Sequence, residues 1–335
     1  MVDITIIMPT YNKEKYIAEA LDSIFMQETA YSYQIIIADD CSNDATLNIV
    51  KEYQEKYPDK IILLPSEVNQ KLYKNILRAY SITKTDYFCV LDPDDYWTDK
   101  FKIQKALDFL ENNKDFTIYA TATMQIFADG TQQKMQSSDT IVDSDFNDFI
   151  NQRAKLGCTL GAIFRNVIFK NGIPEKMLNI TSPSQERSFR ADSFRNAIHI
   201  HEGKAHYVPE FDAMYRITEE GIWQGTTEFA QNIVNANIYK DLFEYFDCEN
   251  PELLQFAYKL FQMNTKNLYD LLKDFRDDDI LISNIRKSIE LYDYFSDKKQ
   301  QGYNLQKKIN LSLKNRIRIY FYHKLSKKLS EKGLI

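Results

Sequence analysis

The alternation of short apolar segments with helical patterns over the first 125 residues constrains the fold of this chain more than any other feature. Strands are predicted at 4–8, 34–38, 61–64 and 87–91, and helices at 14–26, 44–57, 71–82 and 100–111. Strands that are apolar throughout and alternate with helices are typical of a parallel sheet covered on both faces. The sequence therefore predicts a Rossmann-like α/β fold with a mostly parallel sheet.

The pattern changes beyond residue 115. Strands are predicted at 117–127 and at 207–217, the latter with a break at Pro209, and a single helix at 188–200. From residue 226 onward only helical patterns remain. We therefore expect one α/β domain at 1–225, with halves at 1–115 and 116–225, and a helical C-terminal region at 226–335.

Glycine is scarce in this chain of 335 residues, with nine in all, and the first of them is Gly130. The first half therefore lacks the glycine-rich loops by which dinucleotide-binding proteins and P-loop proteins hold phosphate. A phosphate bound at the strand ends of that half needs another partner.

The cysteines and the apolar runs bear on the cellular compartment. None of the four cysteines has the C-x-x-C spacing of a metal or redox motif, and a reducing cytoplasm suits them. We see no basic segment of a signal peptide at the start, and the longest apolar runs have about five residues against roughly 20 for a membrane span. We therefore expect a cytoplasmic protein, either free in the cytoplasm or bound peripherally to the inner face of the membrane.

The charge is unevenly distributed along the chain. Lys298–Ile335 carries 11 basic residues and one acidic residue, whereas the rest carries 31 basic and 47 acidic residues. Over 303–330 the apolar and basic positions have helical spacing, which suits either an anionic membrane surface or packing on the acidic body. The sequence leaves both open. We expect no nucleic-acid partner, because the acidic body would repel it.

Acidic residues follow two of the predicted strands. Asp39 and Asp40 follow the second strand, and Asp92, Asp94 and Asp95 follow the fourth. Ligands of an open parallel sheet bind beyond the carboxyl ends of its strands, so both groups should face one crevice. Such carboxylates repel one another unless a cation lies between them, and a hard divalent ion with substrate phosphates meets that need. The alternative is that these acids cap the helices that follow.

At this point the sequence resembles the family 2 glycosyltransferases of the GT-A fold. The similarity covers about residues 3–225 and rests on four segments in the family's order, at 6–24, 35–46, 91–111 and 214–223. The resemblance implies a GT-A fold and transfer, with inversion, of a sugar from a UDP-sugar to a glycan or lipid-linked acceptor in cell-surface polysaccharide or glycoconjugate synthesis. The donated group would be a hexose or an N-acetylhexosamine.

The resemblance also implies roles for matched residues. Tyr11 would stack on the nucleotide base, Asp40 would accept a hydrogen bond from it, and Asp39 would support Asp40. Asp92 and Asp94 match the family's Asp-x-Asp motif and would hold Mn²⁺ or Mg²⁺ against the diphosphate. The implied nucleotide-sugar-binding set is Pro9, Tyr11, Asp39, Asp40, Lys74, Asn75 and Asp92.

The resemblance implies a general base that takes the proton of the acceptor hydroxyl. Counting back from Tyr215 and Arg216 places it at Asp192, with Glu186 as the alternative base. The structural alternative is that Asp192 is only a solvent-exposed acid on a helix. Where relatives carry His, this chain has Thr218, and Arg216 is the candidate to bind the diphosphate instead.

The two tryptophans lie next to motifs. Trp223 is a candidate wall of the acceptor site, with packing in the core as the alternative. For Trp97 we expect packing in the core. The histidines show no metal spacing.

Three classes of function remain open. The first is the metal-dependent glycosyltransferase, and the second is a nucleotidyltransferase, which usually needs a glycine-rich loop that is missing here. The third is a non-catalytic nucleotide-sugar or glycan-binding partner of another glycosyltransferase. The helical region at 226–335 would complete the acceptor site, form a dimer or touch the membrane, and the sequence leaves these open.

Overall fold

The fold was described from a computed structural model, which covers residues 2–218, 227–273, 279–303, 305 and 327. The strands are β1 Ile4–Thr10, β2 Tyr33–Asp39, β3 Ile61–Leu64, β4 Tyr87–Val90, β5 Tyr96–Trp97, β6 Phe116–Ile126, β7 Gln132–Met135, β8 Val142–Ser144, β9 Ala162–Arg165 and β10 Lys204–Arg216. The helices are α1 Ile17–Phe25, α2 Thr46–Lys56, α3 Lys71–Ile82, α4 Lys102–Asn112, α5 Phe146–Ile150, α6 Glu175–Leu178, α7 Pro183–Phe189, α8 Asp192–His201, α9 Glu228–Tyr245, α10 Pro251–Lys273 and α11 Asp279–Gln300. Short 3₁₀ turns occupy Thr159–Gly161 and Phe169–Asn171.

The strands form one sheet in the order β3-β2-β1-β4-β9-β6-β10-β5, with β7 beside β6 and β8 beside β10. The strands β3, β2, β1 and β4 are parallel, as the alternation predicted. Beyond β4 the sheet is mixed, because β9 lies antiparallel between β4 and β6. The predicted α/β fold with a mostly parallel sheet is confirmed, and β9 is an antiparallel strand within that sheet.

The core of the sheet is apolar because its central strands are covered by helices on both faces. Every residue of β1 is buried, and α1 covers the sheet with residues spaced at three and four positions. The buried residues of α1 include Ile17, Ala20, Leu21 and Ile24.

The contacts divide the chain into two units. One comprises Met1–Thr181 with Phe189–Gly221, and the other comprises Ser182–Ser188 with Ile222–Ile335. The second unit contains α9, α10 and α11, and there the Ser188 hydroxyl donates to the buried Asp241 carboxylate at 2.5 Å. This bond ties the segment at 182–188 to α9. The domain boundary at 225/226 stays a prediction.

Two local expectations about element ends are corrected. The first strand does not stop before Pro9 but continues to Thr10, because both residues still pair with β2, whereas the pairing with β4 ends at Ile7. The missing N–H of Pro9 therefore costs no hydrogen bond of the sheet. The sequence also left out β5, β7, β8, β9, α5 and α6, all of which are five residues or shorter.

The single helix expected at 188–200 is wrong, because the structure has α7 and α8 with an extended residue, Ala191, between them. Phe189 and Phe194 are both buried, and their ring centroids are 4.6 Å apart. Residues five apart in a continuous helix point about 140° away from each other, so the chain must turn for both rings to meet. The turn makes Asp192 the first residue of α8.

Part of the chain lies outside the described residues. This applies to Trp223, to His323 and to nearly all of the basic tail at 303–330, of which Tyr303, Leu305 and Lys327 are described. Among the helices of the described residues, none has the length and apolarity that crossing a membrane requires.

Candidate functional site

The loops that follow β1 and β2 are joined by hydrogen bonds at the carboxyl edge of the sheet. The Asn12 N–H donates to Ser42 Oγ at 2.9 Å, and the Asn43 N–H donates to Asn12 Oδ1 at 2.9 Å. The Lys13 N–H donates to Thr46 Oγ1 at 2.7 Å. These bonds fix the two loops as one platform in the absence of a glycine-rich turn.

Asp39 and Asp40 have different surroundings, although they are adjacent and both buried. Both Asp39 oxygens accept from Ser42, from its N–H at 3.0 Å and from its hydroxyl at 2.5 Å. Asp40 Oδ1 accepts from the Gln70 N–H at 2.7 Å. Asp39 therefore shapes the loop through both of its oxygens. Asp40 uses only Oδ1 in these bonds, which leaves Oδ2 for another donor.

Pro9 and Tyr11 lie at the end of β1, beside this platform. Pro9 is buried and pairs in register with Ala38 of β2. The Tyr11 side chain is exposed to 43%. An aromatic ring held next to buried backbone and open to solvent is suited to stacking on a planar ligand.

Lys74 and Asn75 lie on α3 and differ sharply in exposure. Lys74 is exposed, whereas Asn75 is buried, and its amide donates to the Ala38 carbonyl at 2.6 Å. The Asn75 carbonyl oxygen accepts from Arg78 Nη1 at 3.1 Å. Asn75 thus holds α3 against the end of β2, and contact of either residue with a nucleotide stays a prediction.

Three non-glycine residues near the strand ends have left-handed backbone conformations. Asn12, Cys41 and Lys71 have φ angles of 49°, 65° and 71°. This region is strained for residues with a Cβ and is easily adopted by glycine.

Lys71→Gly is expected to stabilise the protein by about 1 kcal/mol, because glycine adopts the left-handed backbone conformation at this position without strain. Urea unfolding of the two proteins measures the difference. The matched control is Lys51→Gly at an exposed position within α2, where glycine should cost about 1 kcal/mol. A loss of stability in Lys71→Gly would contradict the assignment of strain.

The carboxylates that follow β4 are close enough to perturb one another. Burial first, and the neighbouring Asp94 second, raise the pKa of the Asp92 carboxyl to about 6, while Arg195 and Lys13 act in the opposite direction. The Lys13 ammonium pairs with Asp94 Oδ2 at 2.6 Å. The two acids of the predicted Asp-x-Asp motif therefore interact with each other and with the ammonium of Lys13.

Arg216 holds the end of β10 against the same acidic loop. Its N–H donates to Asp95 Oδ1 at 2.8 Å, and its Nε donates to the Asp94 carbonyl at 3.0 Å. Its Nη2 pairs with Glu19. The guanidinium is thus engaged by protein groups in this structure, and its contact with a diphosphate stays a prediction.

The residues present fit a divalent cation. Among the described residues, no cluster of three or more His, Cys, Asp and Glu side chains is arranged for a metal. Mg²⁺ and similar ions are often held by one or two carboxylates together with substrate phosphates, however, and do not need a complete protein cage. The raised pKa of Asp92, to which burial and then the neighbouring Asp94 carboxylate contribute, is the observation that supports such a site, because a cation would relieve the repulsion.

Asp192 is brought to this cluster by the fold. It is one of the charges that raise the pKa of Asp92, although the two residues are 100 positions apart. Asp192 Oδ1 accepts from the Ser193 N–H at 2.8 Å, and Oδ2 accepts from Thr159 Oγ1 at 3.4 Å. Glu186, the alternative base, belongs to the other unit, with the segment at 182–188.

Sequence analysis missed three residues of the cluster. They are Lys13, Thr159 and Arg195, and the last of these is 3% exposed. The spacing of three between Asp192 and Arg195 at the start of a helix is a signal that could have identified Arg195. Nothing local pointed to Thr159, which lies 33 positions before Asp192.

The remaining candidates are placed as follows. Trp97 is 2% exposed in the core and its Nε1 donates to the Leu160 carbonyl at 3.2 Å, so the core interpretation is confirmed. His199 is buried, and this burial lowers its pKa to about 3. The Thr218 hydroxyl is buried without a hydrogen-bond partner among the described residues.

The sequence similarity to two named relatives covers 65% and 45% of this chain. This chain is 29% identical over 219 residues to the uncharacterized protein Rv1520 of Mycobacterium tuberculosis. The aligned region covers 65% of this chain and 60% of that protein. This chain is 34% identical over 157 residues to dTDP-rhamnosyl transferase RfbG of Shigella flexneri, covering 45% of this chain and 52% of RfbG. The chain thus spans about half to 60% of the length of these relatives.

A solved structure and a family model complete the comparison. TarS 1–349 of S. aureus in complex with UDP-GlcNAc superposes with a TM-score of 0.60 at 18% identity, over 87% of this chain and 81% of that one. At this identity the superposition supports the GT-A fold alone. The sequence model of the family described as Glycosyl transferase family 2 matches residues 5–175, which is about half of the chain. The chain therefore belongs to glycosyl transferase family 2.

Proposed function

We propose that this protein is an inverting, metal-dependent glycosyltransferase that moves a sugar from a UDP-sugar to a glycan or lipid-linked acceptor. The observation that carries the proposal is the electrostatic interaction of Asp192 with Asp92, which follows β4 and also interacts with Asp94. A base beside an acidic phosphate-binding pair is the arrangement that single-displacement sugar transfer requires. Membership of the family supports the reaction class.

The residues divide the reaction among them. Tyr11 stacks on the base, and Asp40 accepts a hydrogen bond from the imide N–H of uracil with the oxygen that does not bond to Gln70. Asp92 and Asp94 hold the divalent cation, which supplies positive charge to the diphosphate as it leaves. Asp192 takes the proton of the acceptor hydroxyl as that oxygen attacks the anomeric carbon.

The nucleotide is argued from the base pocket and from relatives. Uracil and thymine both present an imide N–H, so a carboxylate at Asp40 suits both bases. The TarS structure holds UDP-GlcNAc, whereas RfbG is named a dTDP-rhamnosyl transferase. We favour UDP and include a dTDP-sugar in the test.

Nucleotide release without an acceptor tests the proposal. The full chain is incubated with UDP-GlcNAc, UDP-glucose, UDP-galactose or dTDP-rhamnose, first with Mn²⁺ and then with EDTA. We expect slow hydrolysis of one donor to the nucleoside diphosphate, with loss of release in EDTA. Release of pyrophosphate instead would indicate a nucleotidyltransferase. UDP binding with no release from any donor, either alone or with a mixture of glycan acceptors, would support the non-catalytic partner.

Asp94→Ala is expected to slow UDP release about 100-fold and to weaken UDP-sugar binding, because the diphosphate loses its counter-ion. The residual rate should be the same with Mn²⁺ and with EDTA. Uridine, which has no phosphate, is the control and should bind both proteins equally in calorimetry. A variant that keeps the wild-type rate and its response to Mn²⁺ would exclude Asp94 from metal binding.

The acceptor side is proposed on sequence grounds. Trp223 as an acceptor wall and the tail at 303–330 as a membrane contact lie outside the described residues. A peripheral position on the cytoplasmic face of the membrane would suit a lipid-linked acceptor.

A further inference from the structure

We propose that Thr159 and Arg195 form a hydrogen-bonded relay that positions the carboxylate of Asp192. The inference rests on the proposed function, in which Asp192 is the base. It adds two positioning residues that act on the acceptor side of the reaction.

The direction of the relay is fixed by the chemistry of its donors. Arg195 Nη2 lies 3.2 Å from Thr159 Oγ1, and Thr159 Oγ1 lies 3.4 Å from Asp192 Oδ2. A guanidinium donates hydrogen bonds and never accepts them. The Thr159 oxygen therefore accepts from Arg195, and its single hydrogen is directed to Asp192.

Arg195 is itself held in one place within the first unit. Its Nη1 donates to the Tyr80 hydroxyl at 3.3 Å, and its guanidinium lies 5.5 Å from the ring centroid of Phe164. Among the described residues, its guanidinium bonds to the hydroxyls of Tyr80 and Thr159 and not to a carboxylate, and its buried Nε has no hydrogen-bond partner. A buried cation without a direct counter-ion is costly, which argues against a role in packing alone.

The charge of Arg195 is balanced by the acids of the site. Asp192 and Asp92 both interact electrostatically with Arg195 and favour its charged form. Arg195 in turn opposes the effect of burial on Asp92. The guanidinium therefore stabilises the acidic cluster through space, and its one hydrogen-bonded connection to Asp192 runs through Thr159.

The turn that carries Thr159 is rigid. Trp97 Nε1 donates to the Leu160 carbonyl at 3.2 Å, and Thr121 Oγ1 lies 3.0 Å from the Gly161 carbonyl oxygen. A Cβ added at Gly161 would lie 2.8 Å from the Thr121 carbonyl oxygen, so the turn is closely packed against β6. A hydroxyl on such a turn is a fixed reference point for the Asp192 carboxylate.

The relay leaves Asp192 able to act on an acceptor. Oδ1 accepts from the Ser193 N–H at 2.8 Å, and Oδ2 accepts one bond from Thr159. A carboxylate has about four acceptor positions, so further lone pairs remain for a hydroxyl proton. Fixing both oxygens orients those lone pairs, and a small misplacement of a reacting group can cost about 100-fold in rate.

Thr159→Val tests the relay, because valine keeps the shape of threonine and lacks its hydroxyl. The measurement is UDP release from the donor that the panel above identifies. We expect kcat to fall about tenfold or more, with the donor KM and the Kd of UDP within about twofold of wild type. Thr159→Ser, which keeps the hydroxyl, should restore kcat to within about threefold.

Thr117→Val is the matched control. The Thr117 hydroxyl is buried and donates to the His199 carbonyl at 2.6 Å, so its loss loosens α8 without touching Asp192. We expect this variant to lose stability and to keep kcat. Equal losses of kcat in Thr117→Val and Thr159→Val would reduce the relay to general support of α8.

Asp192→Asn separates failure of the relay from failure of the proposed function. If Asp192→Asn is inactive while Thr159→Val keeps the wild-type kcat, the relay is wrong and the base stands. If Asp192→Asn keeps the wild-type rate, the base itself is wrong. A fall in kcat for Thr159→Val that is absent from the Asp192→Asn background supports the relay, because the hydroxyl then acts only through Asp192.

Discussion

Asp192→Asn is expected to lower the rate of sugar transfer about 1000-fold while leaving UDP binding unchanged. An amide of the same size cannot accept the proton of the acceptor hydroxyl, and general-base catalysis is worth about 10²–10⁴-fold. UDP release in the presence of donor, with the Kd of UDP measured by calorimetry, gives both quantities. Loss of UDP binding in this variant would instead assign Asp192 a structural role.

Two further variants make this result specific. Glu186→Gln tests the alternative base and should keep the wild-type rate, because Asp192 is the candidate base that interacts electrostatically with Asp92. Asp59→Asn removes an exposed carboxylate in the turn after α2 and should also keep it. An inactive Glu186→Gln beside an active Asp192→Asn would move the base to Glu186.

Asp212→Asn is expected to destabilise the protein by about 3–5 kcal/mol, because it leaves the ammonium of Lys102 buried without a counter-ion. Lys102 Nζ lies 2.7 Å from Asp212 Oδ2, and the side chains are 1% and 5% exposed. Thr121 Oγ1 also lies 2.7 Å from Asp212 Oδ1. The shift in the urea unfolding curve measures the loss.

An exposed pair on the same helix is the control for this prediction. Lys105 lies 2.7 Å from Glu210, with the two side chains 44% and 51% exposed. Glu210→Gln should cost no more than about 1 kcal/mol, because exposed ion pairs contribute little. Equal effects of Asp212→Asn and Glu210→Gln would mean that burial does not govern the Lys102–Asp212 pair.

The buried Lys102–Asp212 pair joins three elements that surround the site. Lys102 begins α4, Asp212 lies on β10, and Thr121 of β6 contacts both of their charged groups. Thr121 also bonds to the turn that carries Thr159. Loss of the pair is therefore expected to disturb the acceptor side of the site as well as stability.

The sequence by itself determined the local structure of the first half of the chain. The strand at 61–64 and the helix at 71–82 have the predicted bounds, since apolar periodicity reports which face of an element is buried. The acids at the ends of β2 and β4 were identified in the same way, because a predicted strand also predicts the residues at its carboxyl end. The family and the α/β class also followed from motifs and their order.

Only the tertiary structure decided which distant residues meet. The short strand β9 enters between β4 and β6, and the carboxylate of Asp192 comes within electrostatic range of Asp92. The split between α7 and α8 depends on Phe189 meeting Phe194, and the relay depends on Thr159 lying beside α8. Periodicity encodes the burial of a residue but not the partner that buries it, so these contacts could not be read from the sequence.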